Sequence, residues 1–192
     1  MRELIEAISR MGQAVGTDVV KVDMFLNHRI DTALMFRMGE ALADAFRDEM
    51  PEIVLTVESS GIALALATAR ALGDLPVVFA KKSPTVVQSA DVAQARVYSF
   101  THKTENMIRV DRRYLPAGSR VLIVDDFLAD GQAAQGMIAL CNQLGCAVAG
   151  VGIAVEKGFQ PGGRTLRDMG VNVKSLAVIT AIADGTFVFA GD

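Results

Sequence analysis

A chain of 192 residues, about half of them apolar, is long enough for one α/β domain with a substantial core and short for two. Its 19 Lys and Arg against 22 Asp and Glu leave a net charge of −3, which excludes a global basic field for gripping nucleic acid and leaves anion binding to local groups. No apolar run reaches membrane-spanning length, and Met1 to Gly16, with Arg2, Glu3, Glu6 and Arg10 among its apolar residues, reads as neither signal peptide nor transit sequence, so no membrane contact is expected.

Leu4, Ile5, Ile8 and Met11 recur at helical spacing and predict a first helix. Asp31 stands at the N-cap of a second, in which Leu34, Met38, Leu42 and Ala45 form an apolar stripe whose methionines read as core. Ile53 to Val57 is a strand, Ile62 to Leu72 a helix closed by Gly73, and Pro76 to Ala80 the next strand, which together begin a βαβ unit. Lys81 to Asn106 is a polar excursion containing Pro84 and enclosing only a short strand-like piece, Arg96 to Phe100. An irregular segment of that length in a compact domain is a functional signal. Leu115 to Ser119 turns into an apolar run, Val121 to Val124, and a helix then passes through Met137, Leu140 and Leu144. Cys141 and Cys146, the only cysteines, have neither metal-ligand spacing nor a disulfide framework and read as reduced core thiols of a cytoplasmic protein. Ala147 to Val155 and Val173 to Ile179 supply further strands, separated by a helix near Arg164 to Met169. The order predicts a mainly parallel sheet of about five strands flanked by helices, with no internal repeat.

The most informative stretch is Val121-Leu122-Ile123-Val124-Asp125-Asp126-Phe127-Leu128-Ala129-Asp130-Gly131-Gln132-Ala133. The apolar run shows no alternation, as expected of a strand covered on both faces, and ligands of such sheets bind beyond the strands' carboxyl ends. Two adjacent carboxylates there can accept hydrogen bonds from vicinal ribose hydroxyls, directly or through waters on a magnesium ion. Ala129 to Ala133 has little bulk, Gly131 permits a positive φ, and the following helix would aim free N–H groups at a phosphate. By pattern alone the same residues also fit a solvated, helix-capping turn. A second small-residue turn, Val57-Glu58-Ser59-Ser60-Gly61, could cradle anionic oxygens or serve as an ordinary N-cap. Lys81 and Lys82 follow the neighbouring strand and could neutralise the same group, or simply be solvated. Arg109, Arg112 and Arg113 could reach a phosphate or lie idle on the surface. His28, with no second ligand near, makes no metal site.

These motifs resemble the type I phosphoribosyltransferases, whose diphosphoribosyl-binding motif is a hydrophobic strand, two acidic residues and a small loop. Lys21-Val22-Asp23, Phe25 to His28, Glu58 to Ala63, Pro76 to Ala80, Val97-Tyr98-Ser99-Phe100-Thr101 and Glu156 to Gly162 are similar to the bacterial members that act on xanthine, and the resemblance covers nearly the whole chain. It implies an α/β type I phosphoribosyltransferase fold over residues 1–192, with a small hood built from about 17–30 and 156–192 and a flexible flap at about 82–106. It implies transfer of the phosphoribosyl group of 5-phosphoribosyl 1-diphosphate, with Mg2+, to xanthine, giving xanthosine 5′-monophosphate and pyrophosphate in purine salvage, by a homodimer. Asp125 and Asp126 would orient the ribose, and Tyr98 would act from the flap. Ala129, Asp130, Gly131, Gln132 and Ala133 would hold the 5′-phosphate, and Ser59, Ser60, Gly61 and Lys81 the pyrophosphate. Val20, Asn27 and Lys157 would bind xanthine, with Phe159 stacking on it or packing in the core; no side chain is assigned as a direct metal ligand. Two departures stand out. Many relatives carry aspartate at Ala129, as a base toward purine N7, and the xanthine enzymes carry asparagine at Asp130, where an anion facing a phosphate should cost affinity unless it caps the helix. Hypoxanthine or guanine as preferred base, and a non-catalytic purine-sensing regulator of the same fold, are the alternatives. The regulator is disfavoured because no added DNA-binding segment or basic face is evident.

Overall fold

The computed structural model describes residues 1–83, 91–99 and 104–191. Helix α1 (Arg2–Met11) leads into a small antiparallel hairpin, β1 (Gln13–Val15) and β2 (Val19–Lys21), and then a single π-helical turn, Asp23–Asn27. Asp31 caps α2 (Thr32–Phe46), its side chain accepting the Leu34 N–H at 3.0 Å, as its position before an apolar stripe predicts. There follow β3 (Ile53–Val57), α3 (Ile62–Ala71), β4 (Val77–Ala80), the hairpin β5 (Val92–Ser99) and β6 (Thr104–Asp111), β7 (Arg120–Leu128), α4 (Gln132–Leu144), β8 (Ala147–Lys157), α5 (Gly162–Asp168), β9 (Val173–Ala183) and β10 (Thr186–Phe189).

The main sheet runs β10-β9-β8-β7-β3-β4. β9, β8, β7, β3 and β4 are parallel, the five strands expected, and β10 adds an antiparallel edge. β10 escaped the sequence reading, although Asp184-Gly185, both at positive φ (49° and 75°), is the two-residue turn that hairpins favour. Helices α1, α2 and α3 cover one face through Leu4, Ile8, Met38, Leu42, Phe46 and Leu64. Helix α4 covers the other through Met137, Leu140, Cys141 and Leu144. α2 and α3 approach so closely that a Cβ on Gly39 would lie 2.5 Å from the Ala67 backbone.

The excursion after β4 is more regular than its composition suggests. Instead of one short strand at Arg96 to Phe100, eight residue pairs join β5 to β6, from Val92↔Asp111 to Ser99↔Thr104. Ala93, Ala95, Ile108 and Val110 are buried with the α4 side of the core. The alternation is real, but two of its inward positions in β5 are alanines, whose apolar signal is weak beside Gln94 and Arg96.

Candidate functional site

β7 pairs with β3 only as far as Leu55↔Ile123, while its pairing with β8 continues to Leu128↔Glu156. Beyond Ile123 the strand therefore has a neighbour on one side only. A crevice opens between β3 and β7, the point at which strand order reverses and α3 and α4 leave on opposite faces. Asp125 and Asp126 lie at this crevice. They sit inside β7 rather than just past its end, because β8 carries the strand onward.

Both carboxylates are nearly withdrawn from water, 5% and 6% exposed, yet their partners differ. Asp126 accepts two side-chain bonds, from the Ser60 hydroxyl at 2.9 Å on Oδ1 and from Asn27 Nδ2 at 3.0 Å on Oδ2. It thus joins the turn after β3 to the π-helical turn before α2. Asp125 Oδ1 accepts the Asp126 backbone N–H at 3.0 Å. Burial first, and then the neighbouring Asp126 charge and side-chain contact, push the Asp125 carboxyl well above its ordinary 3.8, with Lys82 offsetting a little. Around it the packing is tight: a Cβ on Gly61 would fall 2.2 Å from Thr56 Oγ1 and 2.7 Å from Asp125 Oδ1. Thr56 Oγ1 is also buried, with no hydrogen-bond partner among the described residues.

The loop after β7 turns through Gly131 at φ +84° into α4. Asp130 stands one residue before the N-cap of α4. Its Oδ1 accepts the Gln132 N–H at 3.1 Å, capping the helix, while helix geometry leaves the Ala133 and Ala134 N–H groups without intrahelical acceptors. The first turn of α5 backs the loop directly: Gly162 N–H donates to Ala129 O at 3.0 Å, and a Cβ on Gly162 would lie 2.5 Å from both Ala129 O and Gly131 N.

The turn after β3 carries Ser59, Ser60 and Gly61, with a cis Glu58–Ser59 peptide bond. Glu58 Oε1 accepts the Lys82 N–H at 2.5 Å, which ties this turn to the end of β4. Lys81 forms a backbone bridge with Arg109, N–H to O at 2.9 Å in both directions, and its Nζ lies 5.9 Å over the Phe79 ring. Arg109 Nη1 donates to Lys82 O at 3.1 Å, Arg112 pairs with Asp91 and Arg113 with Asp111. The arginine trio is thus engaged at the root of the β5–β6 hairpin. Tyr98 is placed on β5 opposite Glu105, with its side chain outside the described residues, as are residues 84–90 and 100–103 of the expected flap.

Lys157, the last residue of β8, reaches back to the chain's beginning: Nζ donates to Asp18 O at 2.9 Å and lies 5.9 Å from the Phe127 ring centroid. Burial lowers its pKa, and the charges of Asp18 and Asp130 oppose that shift. Val20 is buried in the same quarter, and Phe159 is partly buried against the core. Asn27, expected to read a purine edge, has one N–H committed to Asp126, leaving its carbonyl and second N–H for other partners.

The family model for the phosphoribosyl transferase domain matches residues 27–165, well over half of the chain and including both turns and the acidic pair. The chain belongs to the phosphoribosyltransferase family. Among curated proteins, the xanthine phosphoribosyltransferase of Geobacillus thermodenitrificans is 50% identical over 189 residues, covering 98% of this chain and 97% of that one. That of Heliobacterium modesticaldum is 48% identical over 190 residues, covering 99% and 100%. Among solved structures, adenine phosphoribosyltransferase from Giardia lamblia complexed with 9-deazaadenine aligns with a TM-score of 0.77 at 19% identity, covering 91% of this chain and 96% of that one. The Rhodothermus marinus adenine enzyme aligns with a TM-score of 0.76 at 22% identity, covering 93% and 100%. These structures fix the architecture as the type I phosphoribosyltransferase fold.

In this phosphoribosyltransferase, no group of three or more His, Cys, Asp or Glu that could hold a metal ion occurs among the described residues. Two adjacent carboxylates, one carrying two donors already, do not form a protein cage. They do suit a cation that keeps its own waters and takes further oxygens from a phosphorylated substrate, which is how magnesium is usually held. Several residues of the site were missed in the sequence. Thr56 lies in an apolar strand and gave no signal. Gly162 was quoted only as part of a motif, although a Gly pair opening a helix hints at close backbone approach. Glu156, Arg167 and Ser175 come from three different elements, and no local pattern links them.

Proposed function

We propose that the chain transfers the phosphoribosyl group of 5-phosphoribosyl 1-diphosphate to N9 of xanthine, releasing pyrophosphate and forming xanthosine 5′-monophosphate. The observation that carries this reading is near full-length identity of 44–50% to proteins named xanthine phosphoribosyltransferase, combined with a buried acidic pair and a small-residue loop at the sheet's switch point. Asp125 and Asp126 receive the vicinal ribose hydroxyls. The Ala129 to Ala133 loop gives N–H groups and the positive end of α4 to the 5′-phosphate, with the Asp130 carboxylate held on the Gln132 N–H. Ser59, Ser60, Gly61 and Lys81 flank the pyrophosphate. Magnesium, when bound, neutralises pyrophosphate charge and so favours its departure. As the bond from the anomeric carbon to the pyrophosphate oxygen breaks, that carbon becomes cationic, and the buried carboxylates beside it stabilise the charge. The purine nitrogen then bonds to it and gives up its proton to water.

Lys157 supplies specificity. Xanthine carries two exocyclic oxygens and ionises more readily than other purines, so an ammonium favours it through charge as well as hydrogen bonding. Val20, Asn27 and Phe159 complete the base site, segments 17–30 and 156–192 form the hood, and residues 82–106, with Tyr98, close over the reactants. The reading extends to a cytoplasmic homodimer, which sedimentation addresses. The test is to mix protein, Mg2+ and the diphosphate with xanthine, hypoxanthine, guanine or adenine separately and follow absorbance. Fastest turnover of xanthine is expected; faster hypoxanthine use overturns the specificity, and no turnover of any base overturns the transferase reading.

A further inference from the structure

Beside the phosphate loop, among residues given no role in the reaction above, lies an ion pair with a buried carboxylate and a guanidinium side chain that is 45% exposed. Glu156 is only 4% exposed, and its two oxygens accept from Arg167 Nη1 and Nη2, each at 2.7 Å, while Oε2 also accepts from the Ser175 hydroxyl at 2.5 Å. Burial by itself would raise the Glu156 carboxyl, but hydrogen bonds from Arg167 and Ser175 and the guanidinium charge outweigh it and leave its pKa below the usual value. The group is therefore an anion in the folded protein, held bidentately by an arginine on α5 and by a hydroxyl on β9.

The carboxylate presses on the start of α5. A Cβ on Gly163 would fall 1.9 Å from Glu156 Oε1 and 2.6 Å from Arg167 Nη1. One residue earlier, on the other side of the same turn, Gly162 touches the phosphate loop: its N–H bonds Ala129 O at 3.0 Å, and Gly131 has so little room that its own Cβ would lie 3.0 Å from Gly162 Cα. The two glycines leave the turn in backbone contact with the ion pair behind it and the loop in front, with no side chain between to absorb a displacement. A fork of two parallel bonds fixes both distance and orientation, so α5 cannot slide along β8 without breaking it.

We infer that Glu156 and Arg167, steadied by Ser175, are positioning residues for the 5′-phosphate subsite: they lock the Gly162–Gly163 turn, and that turn holds Ala129 to Gly131 in the shape that presents N–H groups to the phosphate. This rests on the assignment of that loop under the proposed reaction. The pair acts at one remove, with no contact to substrate. A misplaced loop loses affinity for any 5-phosphorylated ribose, whichever base is used.

The experiment compares the wild-type protein with Glu156→Gln, Arg167→Lys and Gly162→Ala by calorimetric binding of ribose 5-phosphate, by amide hydrogen exchange over residues 129–135, and by KM for the diphosphate. Glu156→Gln keeps the shape and loses the charge; Arg167→Lys keeps the charge and loses the fork; Gly162→Ala leaves the pair intact and pushes directly on the loop. Each should weaken ribose 5-phosphate binding roughly tenfold and speed exchange in the loop, with KM for the diphosphate rising in step and KM for the base moving less than about threefold. Lowered melting temperature with unchanged sugar-phosphate binding and loop exchange in Glu156→Gln and Arg167→Lys would overturn the inference, whatever Gly162→Ala does, reducing the pair to a structural brace. Should Glu156→Gln unfold, Arg167→Lys still decides, with Gly162→Ala showing what a displaced loop does to binding. If wild-type protein itself fails to bind ribose 5-phosphate, the assignment of the loop fails first, an outcome distinct from a wild type that binds and variants that bind equally well.

Discussion

Asp125→Asn should make the protein more stable and less active. Both carboxylates of the pair are buried, but Asp126 has two side-chain donors whereas Asp125 accepts a backbone N–H, which an asparagine carbonyl can accept equally well. Two like charges on the order of 5 Å apart repel by about 3 kcal/mol at an effective dielectric of about 20. Burial and this repulsion both work against the Asp125 charge, so the gain on removing it should be about 1–2 kcal/mol at pH 7, or about 3–6 °C in melting temperature for a chain of this length. The sign follows from linkage. Asp125 has a folded pKa raised above its ordinary 3.8, so its contribution to stability is present in acid and is lost as pH rises through the folded value. Asparagine does not titrate, and the variant's advantage should therefore vanish toward pH 4 and grow toward neutrality. Thermal melts of both proteins across that range, with and without Mg2+ and the diphosphate, read this out. Ligand should raise the wild-type melting temperature more than the variant's, and transferase activity should fall about a hundredfold, in line with losing one preorganised charge-stabilising group. A melting temperature that drops at neutral pH, or an advantage that ignores pH, would refute the account of Asp125 as an uncompensated carboxyl.

Gly61→Ala drives a methyl onto Thr56 Oγ1 and Asp125 Oδ1, and should cost about 1–3 kcal/mol in denaturant titrations; normal stability would mean that the turn yields freely. Thr56→Val replaces a buried hydroxyl lacking a partner by a methyl group, and is expected to raise stability by about 1 kcal/mol; a loss would reveal a bond that the hydroxyl makes in solution. Lys157→Ala should raise KM for xanthine about tenfold or more while binding of the diphosphate stays unchanged, and equal loss of both would remove its assigned role. Because burial lowers the Lys157 pKa below its ordinary 10.5, the wild-type preference for xanthine should also fade at an alkaline pH lower than that value, a trend that steady-state rates against pH would expose by its absence.

Much of the architecture was legible because its signals are local. Asp31 before an apolar stripe, unalternating Val121 to Val124, and Gly73 and Gly131 at helix boundaries are decided by backbone sterics and by burial within a few residues, and the structure has each where the sequence puts it. The order of α1, α2 and the parallel strands with their helices follows from the same cues, as does the placing of a doublet of acids beside a small-residue loop, whereas the β1–β2 hairpin and β6 went unread. Where local cues were diluted, the reading fell short: alanines hid the length of β5, and β10 is four residues long.

What only the tertiary structure decided is which of those residues meet. Asn27 and Ser60 converge on Asp126 across 99 and 66 residues of sequence, and Lys157 meets Asp18 across 139. Asp130 bonds the first N–H of its own helix, a rotamer that could be seen only in place. The Glu156–Arg167–Ser175 cluster and the Gly162 contact exist because strand pairing brings β8, β9 and α5 up behind the phosphate loop. Periodicity and turn chemistry report the few φ and ψ angles nearest a residue; hydrogen bonds between distant segments are set by the packing of whole layers, and a single sequence carries no local trace of them.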